Sequence, residues 1–226
     1  MSADFRDGAG LSALAALRRF ARPRRVRERC DLCDAELRDE HAHLLELANR
    51  SIVCTCDACA ILFDNPPSPF PLPLQGGEGR VRGSAGKYRR VPRRVQLLRD
   101  FRLPNEAWQG LCLPIDLAFF LHSTTAGRVV AFYPSPAGAT ESLVPLDAWQ
   151  TLAEDNPMLC ELEPDVEALL VNRIHDTRDY YRVGIDKCYE LVGLLRTHWR
   201  GLSGGQAVWE AVGRFFVGLH GGTTHA

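Results

Sequence analysis

No stretch of the 226-residue chain approaches the roughly 18 to 20 consecutive apolar residues that a membrane-spanning helix needs. The N-terminal apolar segment, residues 11–17, is followed rather than preceded by arginines, which is the wrong order for a secretory signal. We therefore expect a cytoplasmic protein without membrane insertion. Because thiols stay reduced in that compartment, clustered cysteines there indicate metal or redox chemistry rather than disulfides.

Recognisable catalytic signatures are also missing. The chain lacks the Gly-x4-Gly-Lys-Ser/Thr of a phosphate-binding loop, and neither Ser135 nor Ser142 stands in the Gly-x-Ser-x-Gly frame of a nucleophile elbow. Asp165 and Glu167 stand two residues apart at the start of a predicted strand, where we expect them on the surface rather than paired for acid–base work. With no catalytic constellation in the sequence, we interpret the protein as non-enzymatic.

The net charge of −1 conceals an uneven distribution. Residues 1–102 carry 19 Lys and Arg against 13 Asp and Glu, whereas residues 103–226 carry 8 against 15. The positive charge of the first half favours either binding to an acidic partner or attraction to the acidic second half. It leaves a nucleic-acid-binding regulator as one alternative function, but the acidic second half argues against nucleic acid as the partner.

Composition divides the chain into four segments. Residues 1–26 form a basic N-terminal segment, and residues 27–64 hold the cysteine-rich module. Residues 65–86 are so rich in proline and glycine that they predict a linker or a disordered insert. From residue 87 to 220 the pattern is that of a globular domain.

That domain mixes predicted strands with predicted helices. Residues 113–123 and 127–136 predict a β-hairpin, and residues 165–173 and 179–185 predict a second pair of strands. Helices are predicted over residues 146–157, 185–199 and 205–219, the second of them with Asp186 as its N-cap. The expected fold class is α+β: a small N-terminal zinc ribbon followed by a domain of mixed antiparallel sheet and helices.

Two Cys-x2-Cys pairs carry the strongest chemical signal in the chain. Cys30 and Cys33 form the first pair, and Cys56 and Cys59 form the second, with 22 residues between the two pairs. Four thiolates at this spacing satisfy a tetrahedral zinc ion and leave no open coordination position, as in a structural site. A module this small has too little apolar core to fold alone, so metal binding would supply its folding free energy.

Three more possible ligands lie between the pairs. Cys54 stands two residues before Cys56 and would point away from it in an extended segment, so we expect a spare buried thiol. His41 and His43 are interpreted as residues that are solvated or that contact a ligand rather than the metal, although the sequence leaves open whether any of the three joins the site. Zinc is preferred over iron because the residues after the cysteines lack the Pro and Gly usual in rubredoxin knuckles.

Several strings of the second half, read together with the cysteine pattern, resemble a known family. They are "GRVVAFYPSPAGATES", "DVEALLVNR", "IDKCYELVGLLRTHWRGLSGG" and "VWEAVGRFF". The family is bacterial, mostly actinobacterial, has no established activity, and its genes tend to lie among nickel–iron hydrogenase structural and maturation genes. The resemblance therefore implies a hydrogenase-associated assembly or maturation factor that acts on a hydrogenase subunit or another maturation protein.

A surface for such a partner is predicted at one helix end. Trp199 and Arg200 precede a glycine-rich loop, and Trp and Arg are frequent anchors of protein interfaces. The competing interpretation is a tryptophan that only closes the core. Iron in the four-cysteine site, making a rubredoxin-like or iron–sulfur electron-transfer protein of the same system, remains a further alternative.

Overall fold

The computed structural model describes residues 28–64, 86–142, 144–201 and 204–222. The strands are β1 (Ala42–Glu46), β2 (Ser51–Thr55), β3 (Tyr88–Arg90), β4 (Val95–Leu97), β5 (Leu117–Ser123), β6 (Arg128–Ser135), β7 (Gly138–Ser142), β8 (Glu167–Asn172) and β9 (Asp179–Gly184). The α-helices are α1 (Asp57–Phe63), α2 (Asn105–Gly110), α3 (Leu146–Asp155), α4 (Ile185–His198) and α5 (Gln206–Gly221). This mixture confirms the α+β class. The basic segment 1–26 and nearly all of the predicted insert 65–86 lie outside the described residues.

The N-terminal module is a three-stranded antiparallel sheet in the order β2-β1-β3, covered by α1. The hairpin of β1 and β2 turns at residues 47–50. Its third strand, β3, comes from beyond residue 86 and pairs with β1. Residues on both sides of the Pro/Gly-rich segment therefore build this sheet. We call the sheet, together with the two cysteine pairs and α1, the ribbon.

The larger sheet has six antiparallel strands in the order β4-β9-β8-β5-β6-β7. One face packs against α4 and α5, through Phe119, Leu170, Tyr181, Leu195 and Phe216 among others. The opposite face packs against α2 and α3, through Phe120, Leu169, Tyr180, Trp108 and Leu152. Every residue of β8 is buried, because a strand covered on both faces has no solvent side.

Most of the predicted elements of this domain are confirmed. The β5–β6 hairpin, the β8–β9 pair and the helices α3, α4 and α5 all form. The N-cap prediction is wrong: Gly184 caps α4, and Asp186 lies inside its first turn. None of the helices in the described ranges is long and apolar enough to cross a bilayer.

The expected surface position of two carboxylates is also wrong. Asp165 and Glu167 are only 6% and 0% exposed. Glu167 accepts a hydrogen bond of 2.9 Å from Nε of Arg182 on the neighbouring strand. Asp165 accepts from the backbone N–H and the hydroxyl of Thr124, at 2.9 and 2.6 Å. Burial is tolerated because each carboxylate has a charged or polar partner from a distant part of the chain.

Gly184 is required by close packing between the two sheets. A Cβ there would lie 2.4 Å from the carbonyl oxygen of Pro92 and 2.9 Å from Cγ1 of Val91, in the segment that joins the ribbon to β4. Its φ of −62° is ordinary for any residue, so space rather than backbone conformation excludes a side chain.

We predict that Gly184→Ala lowers the free energy of unfolding by about 1–3 kcal/mol, because the segment at Val91 and Pro92 must move to admit the methyl group. The matched control is Gly193→Ala within α4, the helix that Gly184 caps, where nothing lies within 4 Å of the new Cβ. That change should be neutral, or stabilising by up to ~1 kcal/mol, since alanine is the better helix former. Urea unfolding of the two variants tests this, and equal stabilities would contradict it.

Candidate metal centre

Local backbone structure brings the two Cys-x2-Cys pairs together. The first pair lies in a tight turn, where the Asp34 N–H donates to the carbonyl of Cys30 at 2.8 Å and Asp34 adopts a φ of +60°. In the second pair Cys56 is the N-cap of α1, and its sulfur accepts the N–H of Cys59 at 3.5 Å. The first turn of α1 thus directs a backbone N–H at the sulfur of Cys56 and places Cys59 beside it.

The four sulfurs form one cluster. Those of Cys30, Cys33, Cys56 and Cys59 all lie within 4.8 Å of one another. Sγ of Cys33 is 3.7 Å from Sγ of Cys56. A tetrahedral ion with metal–sulfur bonds of ~2.3 Å requires sulfur–sulfur edges of ~3.8 Å. The four cysteines can therefore hold one metal ion with little rearrangement.

The electrostatics of the cluster also fit a cation. Burial alone would raise the pKa of the Cys30 thiol, but backbone amides of Cys56, Leu32 and Cys33 donate to its sulfur and lower the pKa to about 6. At Cys59, burial and then the neighbouring cysteine side chains raise the pKa to about 12. The fold thus stabilises one thiolate, that of Cys30, without a metal. Four thiolates this close together repel one another unless a positive ion lies between them.

The remaining candidates between the pairs lie elsewhere. Cys54 is outside the four-cysteine cluster, as its extended setting predicts, and forms a separate group with His41 and His43. The expectation of solvated histidines does not describe His41, whose side chain is only 9% exposed. The signal that could have revealed this group is strand geometry, since residues 41 and 43 share a face of β1 and residue 54 lies opposite residue 43.

The predicted interaction patch divides into two different environments. Trp199 packs against the main core and against Trp209, with ring centroids 6.2 Å apart, and its Nε1 donates to the carbonyl of Gly201. Arg200 is exposed, and its Nη1 donates to the carbonyls of Thr197 and Trp199. Trp199 therefore closes the core, and the exposed part of the predicted patch is Arg200.

A different exposed surface lies next to the metal cluster. Ile61 and Leu62, in the last turns of α1, are 69% and 74% exposed. Phe63 of the same helix stacks edge to face on Tyr88 of β3 and so fixes the end of α1 to the sheet. The sequence signal is the run of four apolar residues, 60–63, directly after the second cysteine pair.

The α+β domain also has an open cleft, of about 630 Å³, between α2 and the loop that follows β8. Arg173 forms part of its wall; burial lowers the pKa of this guanidinium. Its Nη1 donates to the carbonyl of Leu103 at 2.8 Å, its Nη2 donates to Asn105, and it lies 5.5 Å from the ring centroid of Trp108. Because the protein itself occupies these donors, Arg173 has a structural role.

Fold and site together define a ribbon with a four-cysteine cluster that could hold a metal ion, joined to an α+β domain. The chain belongs to a family of unknown function, DUF5947, whose model matches residues 29–72 and 78–223. This confirms that the family is one without established activity. No curated protein and no solved structure matches the chain.

We predict that Cys59→Ser abolishes metal binding at the cluster and unfolds the cysteine turns while the six-stranded sheet survives. The reason is that a closed thiolate site supplies much of the folding free energy of a module this small. Amide hydrogen exchange should show protection falling by at least ~100-fold around residues 30–35 and 54–60, with β8 and β9 unchanged. The control is Cys160→Ser, an exposed thiol outside the cluster. Unchanged protection in Cys59→Ser would contradict the prediction.

Proposed function

We propose that this chain is a non-enzymatic accessory protein whose ribbon holds one structural zinc ion and presents a docking surface to a partner protein. The observation that carries the proposal is the position of Ile61 and Leu62, which follow the ligand Cys59 by two and three residues and point into solvent. Adjacent exposed apolar side chains are typical of interaction sites rather than of ordinary surface.

Zinc is the proposed ion because of the ligand set. Four thiolates complete a tetrahedral shell and leave no position for a substrate, so the ion serves structure and not catalysis. Through Cys56 and Cys59, at the first turn of α1, the ion fixes the orientation of that helix. The exposed apolar residues are thereby held in one geometry, which lowers the entropic cost of docking.

The proposed partner is a subunit or maturation protein of a nickel–iron hydrogenase, held in an immature state by this protein. Support comes from the resemblance of the second-half strings and the cysteine pattern to a family encoded among hydrogenase genes. The charge distribution is compatible with it, since the basic first half and the acidic second half of the sequence can each attract a partner of opposite charge.

One alternative follows from the exposure of Cys33, which places the four-cysteine site at the protein surface. Iron bound by the same four thiolates would then be accessible to a redox partner, and the protein would carry electrons for the same hydrogenase system. A reversible one-electron wave in voltammetry of the purified protein would favour this alternative. The absence of any wave would favour docking.

We predict that affinity purification from a hydrogenase-expressing host recovers a hydrogenase subunit or maturation protein with the unaltered chain and not with Ile61→Ser/Leu62→Ser. The two hydroxyl side chains remove the apolar contact without touching a metal ligand. The matched control is Val217→Ser, which alters a valine that is 74% exposed on α5. Recovery of no such partner by the unaltered chain, or equal recovery by all three proteins, would contradict the proposal.

A further inference from the structure

A second group of metal-ligating side chains lies on the face of the ribbon that is turned toward the α+β domain. His43 of β1 pairs directly with Cys54 of β2, and His41 lies two residues before His43, so all three side chains share one face. Leu45, next on this face, belongs to the main hydrophobic core. Possible ligand atoms of the two histidines and the cysteine all lie within 4.8 Å of one another.

His41 presents an unoccupied lone pair to this group. Its Nδ1 is 3.1 Å from the carbonyl oxygen of Arg38, and a carbonyl can only accept, so Nδ1 carries the hydrogen. In the neutral ring Nε2 is therefore the bare nitrogen. This atom is buried and has no hydrogen-bond partner among the described residues, an unfavourable state that a metal ion would relieve.

His43 is oriented in the same way by a residue of the other domain. Its Nδ1 is 2.8 Å from Oδ2 of Asp186, which lies in the first turn of α4 and is 14% exposed. A carboxylate that holds Nδ1–H leaves Nε2 free as a ligand and makes it more basic, the usual outer shell of a metal-bound histidine. The two rings lie edge to face, with centroids 4.8 Å apart.

Negative charge lies close to Cys54. Oδ2 of Asp31 accepts the backbone N–H of Cys54 at 2.7 Å. An ion that binds the thiol replaces its proton, which leaves to solvent. One thiolate and the Asp186 carboxylate together balance the charge of a divalent ion.

We propose that His41, His43 and Cys54 bind a second metal ion, separate from that of the four-cysteine cluster. Two imidazoles and one thiolate suit a divalent first-row transition metal such as zinc, cobalt or nickel rather than calcium or magnesium. Three protein ligands leave one tetrahedral position open to water or to an outside ligand, unlike the closed four-cysteine shell. Asp186 acts through His43 as a positioning residue, so the site joins the ribbon to α4.

The test is a titration of the full-length, reduced, metal-free protein with Co²⁺ alone, followed by the thiolate-to-cobalt and d–d absorption. We expect two equivalents per chain. Cys54→Ser and His41→Ala should each bind one, because the four-cysteine cluster stays intact and its absorption also reports that the ribbon has folded. Asp186→Asn should retain two equivalents but weaken the second by about 10- to 100-fold.

Control variants make the test specific. Cys112→Ser and His122→Ala alter an exposed cysteine and an exposed histidine outside the group, and both should bind two equivalents. Saturation of the unaltered protein at one equivalent, or two undiminished equivalents in both Cys54→Ser and His41→Ala, would overturn the proposal.

Discussion

The ribbon depends on one electrostatic constraint: four cysteine sulfurs within 4.8 Å of one another cannot all be ionised unless a cation lies between them. The tight turn at Cys30 and the N-terminus of α1 at Cys56 are both arranged around this cluster. Without the ion, the module is a three-stranded sheet with a seven-residue helix, which has little apolar core of its own. In the proposed function, the ion therefore holds α1 so that Ile61 and Leu62 stand in a fixed position.

The ribbon is nevertheless not an independent module. Leu45 belongs to the core formed by the larger sheet with α4 and α5, and β3 continues through the segment at Val91 and Pro92 into β4. Gly184 allows this segment to approach the start of α4, and Asp186 in that turn holds His43. The two faces of the ribbon thus have different roles, one built around the four-cysteine cluster and the other joined to the α+β domain.

Local patterns in the sequence predicted much of this structure. The spacing of the two Cys-x2-Cys pairs identified four residues that the fold brings together, and alternating apolar residues located the β5–β6 and β8–β9 pairs. What failed depended on partners distant in sequence. Glu167 was expected on the surface because nothing nearby reveals Arg182, and Asp186 was interpreted as an N-cap because nothing nearby reveals His43, 143 residues away.

The group formed by His41, His43 and Cys54 illustrates the same limit. A single histidine or cysteine in a sequence usually does not bind a metal. Only the antiparallel register of β1 and β2 places these three residues together. Likewise, Trp199 packs into the core through its contact with Trp209 on the next helix. The spacing of residues in the sequence does not show this contact. The pairing of β3 with β1, across a long intervening segment, was equally beyond local sequence patterns.

The most direct test of the central claim is elemental analysis, together with a visible absorption spectrum, of full-length protein purified without oxygen and without added metal. The account predicts at least one zinc ion per chain, no visible absorption, and loss of that ion when the four cysteines are alkylated after denaturation. A reduced, folded protein that contains no transition metal would contradict it. Iron with charge-transfer bands would keep the site but replace its structural role with electron transfer.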